Sequence, residues 1–483
     1  MKLKNRFSHQ LMAVVLAGIF GFLPMTAHAT QEDSASAPPT AYEQPVQSNA
    51  LENWPVGPAV HAESAIVMEA DSGTILYAKD IEDKNYPASI TKILTALVVL
   101  ENCDLNEEVT FSYHATHSIE YGSSSIARTE GEILTVEEAL YGLMLASANE
   151  CANALAEHVA GSNEAFAVLM NEKAKELGCV NSHFSNPSGL HAADHYTCAY
   201  DMALITQTAI QNEDFRRIAG TDYYTLRATN KNDETLFMQN HHNMIAPYRT
   251  AKFLDDTIFA GKTGYTTDAL NTLVTCGTRN GMDVIVVTMR TQSTAEKGVP
   301  LFTDTAALLD YANNFRKINI SENEQTFMVG NAYDFSMESD DLKTSGSLIS
   351  IDKTSTVILP NTASFTDAVP SIQFEDENQP YLTYEFSGQP VGKASISLEE
   401  STEEDFAFTE TESGETTEEG PKFIAINFKV IFIVLLIIAA VILLFLLIRS
   451  FYQKNRAKIR KSLNIRKKRR FLKRRRYRRK RRR

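Results

Sequence analysis

The sequence predicts an α+β fold in which helices pack on an antiparallel sheet, followed by a small all-β domain and one C-terminal transmembrane helix. Strand-like segments stand at both ends of a helical block, all within residues 57–317. Over residues 318–398 short apolar segments alternate with turns, which is typical of strands. Residues 430–448 then form an uncharged apolar run of membrane-spanning length.

The N-terminus predicts a secretory signal peptide over residues 1–29. A basic start is followed by an apolar stretch over residues 11–23, and Ala27-His28-Ala29 has the small-x-small pattern of a cleavage site. An uncleaved signal anchor is the alternative. Residues 30–56 are rich in Ser, Ala, Pro, Gln and Glu and lack apolar periodicity, so they predict a flexible leader.

The charge distribution predicts how the chain is oriented in a membrane. Residues 449–483 contain 21 Lys or Arg and no acid, whereas residues 30–448 contain 23 basic residues against 60 acidic ones. Basic segments beside transmembrane helices stay in the cytoplasm. We therefore expect a single-pass protein with a cytoplasmic basic tail and an acidic linker over residues 399–429. The tail is expected to contact membrane lipid, and no specific nucleic-acid partner is expected.

Local patterns predict the strands at the two ends of the helical block. Residues 65–68 and 74–77 are strand-like and are joined through Asp71-Ser72-Gly73, which indicates a hairpin. Residues 273–278 and 284–289 flank Asn280-Gly281, a strong signal for a second hairpin.

Three clear helix signals occur between these hairpins. Apolar residues from Ile90 to Val98 recur at the spacing of a buried helix face. Thr135-Val136-Glu137-Glu138 matches a capping box and predicts the start of a second helix. Ser162 is the expected N-cap of a third helix, which ends at Gly178.

The cysteines and histidines give no metal or disulfide pattern. The five cysteines are not spaced as C-x-x-C, and their odd number leaves at least one unpaired in an exported chain. We expect mostly buried free thiols, and the sequence also allows one disulfide bridge. The histidines lack an H-E-x-x-H pattern, so structural or surface roles are expected and neither a metal nor a cofactor is predicted.

The first candidate catalytic motif is Ser89-Ile90-Thr91-Lys92, at the start of the first predicted helix. Residues at i and i+3 share one helix face, so Lys92 can approach the hydroxyl of Ser89. A serine nucleophile needs an adjacent base, and a lysine is a base only when burial or a nearby cation lowers its pKa. An N-cap serine and a solvated lysine are the alternative, but the apolar run after Lys92 indicates a buried helix.

Two further motifs follow in the chain. Ser147-Ala148-Asn149 lies between two helical stretches and can present a hydroxyl and an amide to a cleft. Lys262-Thr263-Gly264 is expected at a transition from loop to strand, where Gly264 leaves space for a ligand backbone. Capping and an ordinary strand start are the alternatives. Ser350-Ile351-Asp352-Lys353 and Ser321-Glu322-Asn323 repeat two of the patterns in the wrong order, and no role is assigned to them.

The combination resembles the low-molecular-mass penicillin-binding proteins, the serine-type D-alanyl-D-alanine carboxypeptidases. Supporting stretches are residues 70–77, 87–92, 154–162, 186–190 and 262–266. The resemblance implies a β-lactamase/transpeptidase-like catalytic domain over residues 57–317, with the family's membrane-proximal β domain after it. It also implies that the protein lies in the bacterial cell membrane with its catalytic domain extracytoplasmic. The expected partners are peptidoglycan stem peptides, β-lactam antibiotics and the lipid membrane.

The resemblance also implies residue roles. Ser89 is expected as the nucleophile and Lys92 as its general base. Ser147 is expected to relay a proton and Asn149 to hold the substrate amide. The substrate site comprises Lys262, Thr263, Gly264 and Tyr265: the first two bind the terminal carboxylate, and the backbone N–H of Tyr265 joins that of Ser89 in the oxyanion hole. The stretch His241-His242-Asn243 departs from the segment that many relatives carry near the carboxylate site.

Three other functions remain open at this point. A β-lactamase on the same fold would need a glutamate-bearing loop that drives deacylation, and no matching motif is present. A β-lactam-binding sensor would need a signalling domain, for which 35 largely basic tail residues leave little room. A catalytically silent wall-binding protein conflicts with the intact set of motifs.

Overall fold

The computed structural model describes residues 40–293, 300–324, 348–374 and 380–399. The chain divides into two units, Met1–Thr402 and Glu403–Arg483, and all described residues belong to the first. The predicted signal peptide, the apolar run over residues 430–448 and the basic tail lie outside the described residues. Within those described ranges, no helix has both the length and the apolar character needed to cross a membrane.

The helices occur mainly between the two hairpins of the first sheet. In chain order they are α1 (Lys92–Asn102), α2 (Tyr113–His117), α3 (Val136–Met144), α4 (Asn149–Ala160), α5 (Asn163–Glu176), α6 (Ala199–Ala209), α7 (Glu213–Gly220), α8 (Leu301–Ala312) and α9 (Ile320–Asn323). Short 3₁₀ turns cover Ala41–Glu43, Gln47–Ala50, Ala88–Thr91 and Phe365–Asp367. Thr135 and Ser162 cap α3 and α5 with their side chains, which confirms both predicted helix starts.

Within the described residues, the strands form two larger antiparallel sheets and two small two-stranded sheets. In chain order they are β1 (Ser64–Glu69), β2 (Ile75–Lys79), β3 (Glu108–Thr110), β4 (Ile133–Thr135), β5 (Tyr223–Leu226), β6 (Leu236–Gln239), β7 (Ile258–Thr266), β8 (Leu270–Arg279), β9 (Met282–Thr291), β10 (Phe315–Asn319), β11 (Leu348–Ile351), β12 (Thr356–Pro360), β13 (Val369–Phe374), β14 (Pro380–Phe386) and β15 (Gln389–Glu399).

The first sheet has the order β2-β1-β9-β8-β7, with every neighbouring pair antiparallel. The predicted hairpins are confirmed: β1 pairs with β2, and β8 pairs with β9 through Asn280 and Gly281, whose φ angles are 52° and 73°. Positive φ at both central residues is typical of the type I′ turn. Because β7 is an edge strand of this sheet, the side of β7 that does not pair with β8 is available to the helical block.

The two faces of this sheet pack against different partners. All six residues of β1 are buried, which requires both faces to be covered. Ile66 and Met68 join the core formed with α1, α3, α4 and α6. Ala65 and Val67 join a second core that includes Trp54, side chains of α8 and the second sheet. The architecture is therefore α+β with helices on both faces of an antiparallel sheet.

The second sheet has the order β10-β12-β15-β14-β13, and β11 pairs with β15. It is joined to the rest through Phe315, whose ring lies 5.2 Å from that of Trp54 and 5.5 Å from that of Tyr311. The sequence predicted that helices stop near Ile318, and the four-residue helix α9 is a short exception. Asn319 caps this helix by accepting from the N–H of Glu322.

Residues 40–56 differ from the predicted flexible leader. Trp54 is only 6% exposed, and its indole Nε1 donates to the carbonyl of Leu76 over 2.8 Å. Nζ of Lys79 is buried and donates to the carbonyls of Ala41, Val60 and Ala62 at 2.5–3.0 Å. The physical reason is that β2 is an edge strand, and this segment covers its unpaired side.

Candidate active site

Two of the three sequence motifs meet at the amine of Lys92, together with the loop that contains Ser188. Nζ of Lys92 lies 3.1 Å from Oγ of Ser89, 2.8 Å from Oδ1 of Asn149 and 2.5 Å from the carbonyl oxygen of Ser188. Ser89 lies in the 3₁₀ turn Ala88–Thr91, which continues directly into α1. The predicted approach of the lysine to the serine on one helix face is thus present in the structure.

Burial shapes the electrostatics of this amine. The side chain of Lys92 is fully buried, and burial is the main cause that lowers its pKa well below the ordinary value. The positive charge of Lys262 lowers the pKa further, while Glu150 and Cys151 act in the opposite direction. A neutral amine beside a serine hydroxyl is the arrangement that general-base catalysis requires.

The S-x-N motif forms the turn before α4. Asn149 is the first residue of α4; its Nδ2 donates to Oγ of Ser123 over 3.0 Å, and its backbone N–H donates to the carbonyl of Ser124. Ser147 has a φ of 60°, in the left-handed region that a serine rarely adopts. Its Oγ is buried and has no hydrogen-bond partner among the described residues. The turn therefore holds a hydroxyl without a hydrogen-bond partner among the described residues, two positions before Asn149, which contacts the amine of Lys92.

The K-T-G motif lies in the middle of β7, and this corrects the predicted loop-to-strand transition. β7 begins at Ile258, four residues before Lys262. The sequence signal was weak there because a β-bulge between Ile258 and Ala260 interrupts the pairing with β8. Lys262 is 1% exposed, its Nζ donates to the carbonyl of Thr263 over 2.9 Å, and burial lowers its pKa to about 7.

Gly264 brings β7 against the backbone of the serine turn. A Cβ atom at this position would lie 2.9 Å from the backbone nitrogen of Ser89 and 2.3 Å from Oγ1 of Thr272. That threonine hydroxyl donates to the carbonyl of Pro87 over 2.8 Å, which joins β8 to the same turn. Tyr265, the next residue of β7, is exposed. Strand β7 and the N–H of Ser89 therefore lie side by side.

Comparison with known proteins gives the family. The sequence profile of a peptidase family described as D-alanyl-D-alanine carboxypeptidase matches residues 51–293, which is half of the chain. The chain belongs to the D-alanyl-D-alanine carboxypeptidase family. This confirms the resemblance that the motifs indicated.

Individual relatives match about half of the chain. D-alanyl-D-alanine carboxypeptidase DacF of Bacillus subtilis is 34% identical over 259 residues, which cover 53% of this chain and 62% of that protein, less than two thirds of its length. DacB2 of Mycobacterium tuberculosis is 32% identical over 257 residues, covering 53% of this chain and 82% of the relative. A solved D-alanyl-D-alanine carboxypeptidase from Mycobacterium tuberculosis is 28% identical and covers 55% of this chain and 95% of its own, with a TM-score of 0.49.

The loop over residues 186–190, one of the stretches that carry the family resemblance, supplies part of the site. The loop Asn186-Pro187-Ser188-Gly189-Leu190 gives Lys92 a backbone carbonyl, from Ser188, and the carbonyl of Pro187 accepts from Oγ1 of Thr95 over 2.7 Å. Oδ1 of Asn186 accepts from the N–H of Gly189 over 2.8 Å and so fixes the turn. The turn-forming composition of the loop was the one signal in the sequence that could have indicated it. The contribution of Ser188 is made by its backbone carbonyl, which leaves no side-chain pattern in the sequence.

Two histidines near the K-T-G strand, the buried His242 and the partly buried His241, are neutral near pH 7. His242 lies behind β7 with Nε2 2.8 Å from Oγ1 of Thr275, and burial lowers its pKa to about 3. Burial and then the charge of Lys262 lower the pKa of His241 to about 4. Neither histidine adds positive charge beside Lys262, so this lysine is the charged member of the group.

Structural or surface roles were expected for the histidines, and His195 connects the serine turn to the loop. Its Nε2 is 2.9 Å from Oγ1 of Thr91, and its Nδ1 accepts from the N–H of Ser185 over 3.1 Å. Burial lowers the pKa of His195 to about 4, which keeps the ring neutral near pH 7.

The repeat motifs lie elsewhere: Ser321 belongs to α9, and Ser350 belongs to β11.

Proposed function

We propose that this chain is a serine D-alanyl-D-alanine carboxypeptidase that removes the terminal D-Ala from peptidoglycan stem peptides through an acyl-enzyme on Ser89. The observation that carries the proposal is the contact of 3.1 Å between Oγ of Ser89 and a fully buried Lys92 amine. Because burial lowers the pKa of this amine, it can take the serine proton near neutral pH.

In the acylation step, Oγ of Ser89 attacks the carbonyl carbon of the penultimate D-Ala, and its proton moves to Nζ of Lys92. Collapse of the tetrahedral intermediate breaks the C–N bond to the terminal D-Ala. The proton returns to the leaving amine through Ser147, whose buried hydroxyl has no hydrogen-bond partner among the described residues. Water then hydrolyses the ester, which releases the shortened peptide and restores the Ser89 hydroxyl.

The substrate is held between α4 and β7. Asn149, at the start of α4, holds the amide of the substrate. Lys262 and Thr263 bind the terminal carboxylate, because a buried ammonium and a hydroxyl form charge-assisted hydrogen bonds with such a group. The backbone N–H groups of Ser89 and Tyr265 stabilise the oxyanion. The close approach of Gly264 to the nitrogen of Ser89 supports this placement.

β-Lactam antibiotics occupy the same cleft and acylate Ser89. Their carboxylate takes the position of the terminal D-Ala carboxylate at Lys262, and their ring carbonyl takes the position of the scissile amide. The resulting ester is hydrolysed slowly, because the leaving group remains attached and occupies the space that a hydrolytic water needs.

The test measures D-Ala released from a peptide ending in L-Lys-D-Ala-D-Ala by the full-length protein. Ser89→Ala is the diagnostic variant, and Ser350→Ala is the matched control because it removes the serine of the second S-x-x-K sequence. We expect catalytic release by the native protein and the control, with none by Ser89→Ala. Stoichiometric penicillin labelling without D-Ala release would instead favour a sensor, and rapid penicillin turnover would favour a β-lactamase.

The proposal includes a membrane anchor formed by residues 430–448, with the catalytic part extracytoplasmic and the basic tail in the cytoplasm of a bacterial cell. Its support is the uncharged 19-residue run and the 21 basic residues that follow it. A chain truncated before Val430 is expected in the soluble fraction after removal of the signal peptide, whereas the full chain resists alkaline extraction. Release of the full chain by alkali would contradict the anchor.

A further inference from the structure

A second cluster of ionisable side chains lies at the far ends of the two helices that carry Lys92 and Asn149. Cys103, Glu107 and His158 each present one ligand atom, and these atoms all lie within 4.8 Å of one another. The closest pair is Nε2 of His158 and Oε2 of Glu107, at 2.9 Å. None of these residues belongs to the candidate active site.

Each of the three residues is held by regular structure. Cys103 is the C-cap of α1, and its N–H donates to the carbonyl of Val99 over 3.0 Å. Oε1 of Glu107 accepts from the N–H of Asp104 over 2.6 Å, which fixes the carboxylate within its turn. His158 lies in the last turn of α4. The cluster is therefore built on two helix ends and one hydrogen-bonded turn.

The surroundings favour a cation. Lys92 and Asn149, the first residues of α1 and α4, touch each other, while Cys103 and His158 bring the other ends together. The two helices therefore run parallel, and their C-terminal ends, which carry partial negative charge, meet at this cluster. Negative charge from Glu107 and Asp104 also lies near the sulfur of Cys103.

We propose that Cys103, Glu107 and His158 bind one Zn²⁺ ion, with water completing a tetrahedral site. Sulfur, imidazole nitrogen and carboxylate oxygen are the three ligand types that zinc takes in proteins. Zinc–ligand distances of about 2.0–2.3 Å require ligand atoms roughly 3.3–3.7 Å apart. The contact between His158 and Glu107 therefore opens by about 0.5 Å, and the sulfur moves inward by at most about 1.5 Å, within the reach of side-chain rotation.

The bound ion lies too far from Lys92 to take part in the proposed reaction at Ser89. The 11 residues of α1 separate the cluster from Lys92 by roughly 16 Å at about 1.5 Å per residue. Zinc at this distance joins the C-terminal ends of α1 and α4, and so holds the helix pair whose other ends carry Lys92 and Asn149. The proposal does not depend on the proposed peptidase activity.

The test titrates chelator-treated, reduced full-length protein with Zn²⁺ against a chromophoric competitor, and uses Co²⁺ as a spectroscopic probe. We expect one Zn²⁺ per chain, a thiolate-to-Co²⁺ charge-transfer band, and a rise in Tm of about 5 °C at Zn²⁺ concentrations near 100 times the Kd. Cys103→Ser and His158→Gln are expected to weaken Zn²⁺ binding at least about 100-fold.

The chain offers a matched control. His114 forms a similar contact with Glu157, 2.7 Å between Nδ1 and Oε1, so His114→Gln removes a His–Glu pair outside the proposed ligand set and is expected to leave the affinity unchanged. Zn²⁺ should also protect Cys103 of the native protein from alkylation but not Cys179, which is similarly half-buried. This measurement needs no variant, so it remains decisive if a variant fails to fold.

Three results would overturn the proposal. The first is the lack of a saturable single equivalent of Zn²⁺ in the native protein. The second is unchanged affinity in folded Cys103→Ser and His158→Gln proteins. The third is a Co²⁺ charge-transfer band that persists in Cys103→Ser, which would assign the thiolate to another cysteine.

Discussion

Substitution of Gly189 by alanine tests whether the 186–190 loop positions the nucleophile. A Cβ atom on Gly189 would lie 1.9 Å from the carbonyl oxygen of Ala88, the residue before Ser89. Real Cβ contacts are not shorter than 3.0 Å, so the two backbones have to separate by about 1.1 Å. A displacement of about 1 Å at a reacting group costs roughly 100-fold in rate.

The same substitution carries a conformational cost that has to be separated from the displacement. Gly189 has a φ of 81°, and an alanine there loses about 1–2 kcal/mol of stability. Gly178 has a φ of 84° with nothing within 4 Å of a built Cβ, so Gly178→Ala isolates this strain from the clash. We expect Gly178→Ala to be destabilised by a similar amount while its acylation rate stays unchanged.

The assay is the single-turnover rate of Ser89 acylation by a fluorescent penicillin, with urea unfolding as the measure of stability. The expected loss of about 100-fold in Gly189→Ala corresponds to about 2.7 kcal/mol of transition-state stabilisation. A folded Gly189→Ala protein that is acylated at the native rate would refute the reasoning, because it would show that the loop does not control the position of Ser89.

Three other predictions follow from the same geometry. Ser147→Ala should slow D-Ala release by about 10²–10⁴-fold without loss of stability in urea, since the removed hydroxyl is buried and unpaired; a destabilised protein would contradict this. For the native protein, kcat/KM should fall as pH rises above about 7, because Lys262 loses the proton that lets it bind a carboxylate. Lys262→Arg stays charged, so this fall should disappear in the variant; an unchanged fall would mean that another group titrates. Trp54→Ala should lower the free energy of unfolding by about 3–5 kcal/mol, and no change would mean that residues 40–56 do not stabilise the edge strand.

Local signals in the sequence predicted the parts of the fold that depend on local chemistry. The capping box at Thr135 and the turn at Asn280 and Gly281 are satisfied by residues within a few positions of one another. The segment before residue 57 was predicted to be flexible because it is polar and lacks apolar periodicity, and its contacts with β2 reach backbone atoms that are distant in the sequence. The hydrogen bond from Trp54 to the carbonyl of Leu76 spans 22 residues and has no periodic signature.

The candidate site divides in the same way. Side chains with a motif, such as Ser89, Lys92 and Asn149, could be selected from the spacing and the chain order of the motifs together with the family resemblance. The contribution of Ser188 could not, because it acts through a carbonyl that every residue possesses. The depth of Lys262 within β7 was also missed, since a bulge interrupts the strand pattern just before the motif.

The three contacts of Lys92 explain how one buried amine can serve as a base. A protonated lysine has three N–H donors, which match Oγ of Ser89, Oδ1 of Asn149 and the carbonyl of Ser188. The neutral amine has two donors and one lone pair. Of the three partners, only the Ser89 hydroxyl can donate, so the lone pair faces Ser89 while the other two oxygens hold the N–H groups. The carbonyl of Ser188 and the side chain of Asn149 therefore accept the two N–H groups of the neutral amine and direct its lone pair toward Ser89. The lowered pKa of Lys92 makes this neutral form accessible.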